Sequence, residues 1–201
     1  VTRAYSEPMD QRILELAAAH VRLYGVKRVT IVGVAEELGM THANIYRYFP
    51  SKIALLDEIT ASWLKPLELG LRVTAEAPDP AYDKLERVLS VLHRTYRNKF
   101  EADPLIFDLF ADSVVQGRGV ARKHRNQVQG TLQRIVEEGI AGGTFEMADH
   151  RRALALVFDA MHRFIHPVPI RMDGEIPRSA LDLRVERLIR LVLRAIVAGR
   201  I

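Results

Sequence analysis

An all-α fold of about nine helices is predicted by three features of this chain. Apolar residues recur at three-to-four spacing almost throughout, and no run alternates long enough for a half-buried strand. Gly, Pro, Asp and Ser interrupt the pattern at helix-length intervals. The architecture expected from them is an N-terminal three-helix head, residues 1–52, joined by a long fourth helix to a helical body, residues 53–201.

The first helix is predicted from Met9 to Tyr24, with Ile13, Ala17, Val21 and Tyr24 on one face and Gly25 as its stop. A second, from Ile31 to Leu38, is capped by Thr30. After Gly39 the Thr41 hydroxyl is placed to cap a third short helix ending at Tyr48, and Pro50 prevents its continuation. Ser51 caps the fourth helix, whose stripe is Leu56, Ile59, Trp63 and Leu67. "EAPDPA", Glu76–Ala81, closes it. Five more helices are expected over 81–100, 103–115, 118–141, 149–165 and 178–199, with "HPVPIRMDGEIP" as the last separator.

A chain of 201 residues that is 48% hydrophobic and 27% charged has the balance of a globular protein. Its longest apolar run is Ala153–Phe158, far short of the roughly 20 residues a spanning helix needs, so a cytoplasmic protein without membrane attachment is expected. Absence of cysteine excludes disulfides, thiolate zinc sites and thiol nucleophiles. The net charge of +4 permits an anionic partner but locates none: residues 1–52 carry seven Lys/Arg against five Asp/Glu, half of the excess.

Two short helices around a turn at Gly39 have the length and punctuation of a helix-turn-helix, whose second helix enters the DNA major groove. Ala35, Gly39 and Ile45 supply its small residue, its turn former and its inward apolar residue. The flanking sequence extends the match. "VTIVGVAEELGMTHANIYRYFPSKIALL", Val29–Leu56, resembles the DNA-binding head of tetracycline-repressor (TetR) family transcription regulators, with its Thr, its Val/Ile-Ala, its Gly and its terminal Tyr-x-Tyr-Phe-x-x-Lys.

The resemblance implies a homodimeric, non-enzymatic regulator, usually a repressor, that binds a palindromic operator and is released by a small-molecule effector. Carried over by position, it makes His42, Ala43, Asn44 and Arg47 base-edge candidates. It makes Thr30, Thr41, Tyr46, Tyr48 and Lys52 phosphate candidates. The chemistry agrees: Arg pairs with guanine O6 and N7, Asn with adenine N6 and N7, and the Ala43 methyl suits a thymine methyl. Lys, Tyr and Thr on phosphates set register without reading sequence. Tyr46 and Tyr48 stand about 200° apart on a helix, so one of them is open to a core role. Lys52 opposes the dipole of the helix it opens, which asks for something negative nearby. Gly33 fits either close approach to phosphate or tight helix packing.

In the body, Arg184, Glu186, Arg187, Arg190 and Arg194 occupy about 160° of the last helix, leaving an apolar arc wider than one neighbour covers. The preceding helix is apolar nearly all round. Four such helices from two copies would make a bundle interface, with Leu154, Val157, Leu188, Leu191, Val192 and Ala195 as its candidates. A ligand pocket is expected from His93, Tyr96, Phe107, Phe110, Phe158, Met161, His162 and His166, with His124 a weaker candidate. Asp159, His162 and His166 share a helix face, which leaves open an alternative, a helical-bundle metal-dependent enzyme. That alternative lacks the second Glu-x-x-His unit such a site requires, so neither metal nor cofactor is expected. The basic stretch "RGVARKHRNQ", Arg118–Gln127, is read as a solvated face with no function.

Overall fold

Helix ends follow the chemistry of the punctuating residues. In the computed structural model, which describes residues 8–147 and 149–199, Gly25 and Gly39 take positive φ of 75° and 65°, where a side chain would be strained. The Thr30 hydroxyl accepts from Gly33 N at 3.0 Å and Ser51 Oγ accepts from Ala54 N at 3.0 Å. Residues 1–7 of the expected head lie outside the described residues.

Ten helices and no strand form among the described residues. They are α1 (Met9–Tyr24), α2 (Ile31–Glu37), α3 (His42–Tyr48), α4 (Lys52–Glu76), α5 (Ala81–Ala102), α6 (Pro104–Val115), α7 (Gly119–Ala141), α8 (His150–Ile165), α9 (Pro167–Met172) and α10 (Arg178–Val197). All nine expected helices are present. The addition is α9, inside the stretch read as a separator. Its prolines do not exclude a helix because Pro167 sits at the first position, where its missing N–H is not needed, and His166 Nδ1 accepts from Val168 N at 3.4 Å.

Burial divides into two apolar clusters. Ile13, Ala17, Val21, Val34, Ala35, Ile45 and Phe49 form the head's cluster, which continues into α4 through Leu55, Leu56 and Ile59. The body's cluster gathers residues of α4, α5, α7, α8 and α10 around Leu85, Leu89, Leu132, Val157 and Ile189. Trp63 borders both. So does α6, with Ile106 and Leu109 in the head's cluster and Phe107 and Phe110 in the body's. Polar ties reinforce the junction: Asp103 accepts from Arg22 of α1 at 2.9 Å and from Lys99 of α5 at 2.9 Å, and Arg118 pairs with Asp57 of α4.

Candidate functional site

The reading unit is assembled from the turn outward. Gly39 N donates to Glu36 O at 3.0 Å and Met40 N to Ala35 O at 2.9 Å, closing α2 and turning the chain toward α3. Ile45 is completely buried and Ala35 nearly so. With Ile45 turned inward, helical geometry carries His42, Ala43 and Arg47 to solvent, and all three are exposed while Asn44 is half-buried. Among the described residues neither the His42 nor the Arg47 side chain is drawn into an ion pair, although the His42 ring meets Tyr46 edge-on at 6.4 Å.

Several expectations change here. Both tyrosines are open, at 46% each, because a seven-residue helix buries only Ile45 and its cap neighbour Phe49 is the next inward residue. The Thr41 hydroxyl caps nothing and stays exposed. Lys52 finds its negative partner within the protein: its ammonium donates to Val26 O at 2.9 Å, fastening the α1–α2 connection to α4. A Cβ at Gly33 would lie 3.1 Å from the Thr30 hydroxyl that caps the same helix and 3.9 Å from His20 of α1, so the crowding there comes from the cap and not from a neighbouring helix. Lys27 and Arg28, exposed just ahead of Thr30 and with side chains that meet no hydrogen-bonding partner among the described residues, were not singled out from sequence. No periodicity marks them; only their position beside the turn does.

The body holds a cavity of about 380 Å³ between α5, α6, α7 and α8. Leu92, Phe110, Val114, Val128, Phe158 and Ile165 supply its apolar wall. Tyr96 and His124, both 3% exposed, form its polar floor. The Tyr96 hydroxyl lies 2.5 Å from His124 Nε2, and His124 Nδ1 lies 2.7 Å from Glu68 of α4. Burial and then the charge of Glu68 push the Tyr96 phenol well above its ordinary range, so it keeps its proton. It donates to Nε2 while Nδ1–H donates to Glu68, an assignment made from the partners. Arg122, Arg125, Gln129, Asp159, His162 and His166 edge the cavity.

Five of the eight expected pocket residues therefore meet, Tyr96, Phe110, Phe158, His162 and His166. His93, Phe107 and Met161 do not line the cavity. Both ring nitrogens of His93 are engaged elsewhere, facing Phe164 O at 3.3 Å and Asp182 at 3.1 Å, which fastens α5 to α8 and α10. Phe107 stacks behind Phe110 against Trp63 and Phe100, and Met161 is fully buried in the body's cluster. His162 and His166 stack ring on ring at 4.5 Å, and burial, then the neighbouring His162, holds His166 below the usual histidine range. Among the described residues no three His, Asp or Glu side chains converge as metal ligands, so the metal-enzyme alternative has no site there.

Of the six interface candidates, Leu154, Val157 and Val192 are buried within the chain's own core and offer a partner little surface. Part of the helical arc read as excess is covered by α5 and by α8, which pack against α10. Leu191, 64% exposed, remains on the outside of α10 with half-buried Leu188 and Ala195.

A helix-turn-helix with an open polar edge, set on a helical body with an internal cavity, defines a DNA-binding regulator. The comparisons agree. Residues 13–59 match the family model for bacterial regulatory proteins of the tetR family, and residues 81–180 match that of the tetracyclin repressor-like C-terminal domain. The HTH-type transcriptional regulator YhgD of Bacillus subtilis is 25% identical over 182 residues, covering 86% of this chain and 92% of its own. A TetR/AcrR-family regulator from Thermobifida fusca superposes with a TM-score of 0.68 at 24% identity, over 92% of this chain and 96% of that one. PfmR, a TetR-family regulator from Thermus thermophilus, gives 0.56 at 25% identity over 94% and 98%. The chain belongs to the TetR family of transcriptional regulators, a non-enzymatic family. No helix among the described residues is long and apolar enough to cross a membrane.

Proposed function

We propose that this chain is a repressor that binds a palindromic operator as a homodimer and leaves it when a small molecule occupies the body's cavity. The observation that carries the reading is the bare polar edge of α3, where a buried Ile45 fixes the helix so that Arg47, His42 and Ala43 face outward with Asn44 beside them. On this reading residues 1–52 are the DNA unit and 53–201 the effector and dimerisation unit. Thr30, Thr41, Tyr46, Tyr48 and Lys52 hold phosphates, and His42, Ala43, Asn44 and Arg47 read base edges.

Two copies joined through the outer side of α8 and α10, around Leu188, Leu191 and Ala195, would present two recognition helices to successive major grooves about 34–36 Å apart. Release follows from α6. Phe110 lines the cavity, and one residue earlier Leu109 packs in the head's cluster, so an effector that displaces Phe110 displaces the head's support. A coupling of about 1–3 kcal/mol would lower operator affinity roughly 5- to 150-fold.

Fluorescence anisotropy with DNA from upstream of the protein's own gene tests the reading. Asn44→Ala and Arg47→Ala should each cost about 1–3 kcal/mol and relax the sequence preference. Lys52→Ala should reduce the salt slope by about one. A salt slope that does not move assigns Lys52 to the Val26 tie alone; wild-type affinity in the Arg47 variant removes α3 as the reader.

A further inference from the structure

We infer that the effector is an amphipathic monoanion, its acidic head held by Arg122 and Arg125 at the cavity's edge and its apolar body lying along Phe110 and Phe158. The inference rests on the reading of this cavity as the effector site. Arg122 and Arg125 are three apart on α7, so they share one side of that helix. Neither guanidinium has a partner among the described residues, whereas Arg97, Arg118, Arg163, Arg171 and Arg178 are all tied to carboxylates.

The fixed charges at the cavity's edge are two arginines against one carboxylate, Asp159, a local surplus of one positive charge, while Glu68 stands behind the floor against His124. Burial, then the neighbouring His162, pushes His166 toward its neutral form. A single oxyanion balances that surplus, and the fork of a guanidinium suits a carboxylate with two parallel hydrogen bonds. Behind the arginines the wall is apolar down to Tyr96 and His124, whose polar atoms already satisfy each other and Glu68. The interior therefore asks for hydrocarbon, and only the edge asks for charge. A neutral hydrocarbon would leave the arginines unused; a cation would find Asp159 but face two positive charges.

The chain's single tryptophan reports on this cavity, because Trp63 lies against two of its lining rings, Phe110 at 5.5 Å and Tyr96 at 6.4 Å. The test titrates the full-length protein with 4-phenylbutyrate, 4-phenylbutan-1-ol and 4-phenylbutylamine, which share one body and differ in head charge, and follows Trp63 emission. Probes of this size bind near the millimolar range at roughly 0.3 kcal/mol per heavy atom. The acid should bind at least about tenfold tighter than the alcohol, with the amine weakest. In an Arg122→Gln/Arg125→Gln variant, both exposed positions, the acid should weaken to the alcohol's level while the alcohol is unchanged. Equal binding of acid and alcohol, tightest binding of the amine, or an acid indifferent to the double substitution overturns the anion inference while leaving the cavity an effector site. Failure of all three probes to saturate at about 10 mM, with operator binding intact, overturns the effector-site reading along with it.

Discussion

Lys84 is 2% exposed, an unusual place for an ammonium, and its surroundings account for it. It donates to Ala75 O at 3.3 Å, to Ala77 O at 3.0 Å and to Glu138 at 2.6 Å, so one side chain satisfies carbonyls left open where α4 ends and ties α5 to α7. Lys84→Met keeps the packed stem but strips those carbonyls of their donor. The expected cost is about 1–3 kcal/mol, read as a lower urea midpoint with an unchanged slope. Nothing in the sequence around Lys84 announced this, since a lysine on an amphipathic helix has the same spacing whether its tip meets water or a carbonyl. Ile45 was legible for the opposite reason: an apolar side chain in a short polar helix has only one favourable direction. His93 marks the limit of such reasoning. Its place beside Tyr96 on one helix suggested a shared cavity, but the choice depended on Asp182, 89 residues away.

At the scale of elements, helix existence was readable because Gly and Pro act locally, whereas the facing of each helix depends on its neighbours. The basic run opening α7 was read as a solvated face, and Arg122, Lys123 and Arg125 are exposed as that reading has it; Arg122 and Arg125 also edge the cavity, and Arg118 reaches Asp57 on α4. Asp103, between α5 and α6, shows how elements are tied. Burial drives its carboxyl up, but hydrogen bonds from Arg22 and Lys99 outweigh this and leave it below the ordinary aspartate range. A carboxylate whose folded pKa is depressed contributes in full above its unfolded value and loses that contribution as pH falls through the folded one. Asp103→Asn should therefore cost about 0.5–1 kcal/mol at neutral pH, a modest figure because Arg22 is half exposed. The difference in urea midpoint from the wild type should hold steady above about pH 5 and shrink toward pH 3.

For the whole molecule, the pairing of two copies is a matter of the surface left over once each chain has filled its own core. Leu154, Val157 and Val192 show why sequence overstates that surface: apolar periodicity cannot tell a neighbour in the same chain from one in another. Leu191→Glu, at a position 64% exposed, should leave the fold intact yet shift sedimentation toward the monomer and weaken operator binding. An unchanged sedimentation coefficient would move the interface elsewhere. The double allegiance of α6 bears on how the chain can be cut. A fragment ending after α4 would retain every candidate DNA contact but open a void where Ile106 and Leu109 belong, worth about 1.5–3 kcal/mol for each missing side chain. Intact protein should accordingly melt in one calorimetric step, reader and receiver together, and the excised head should be a poor stand-in for the whole.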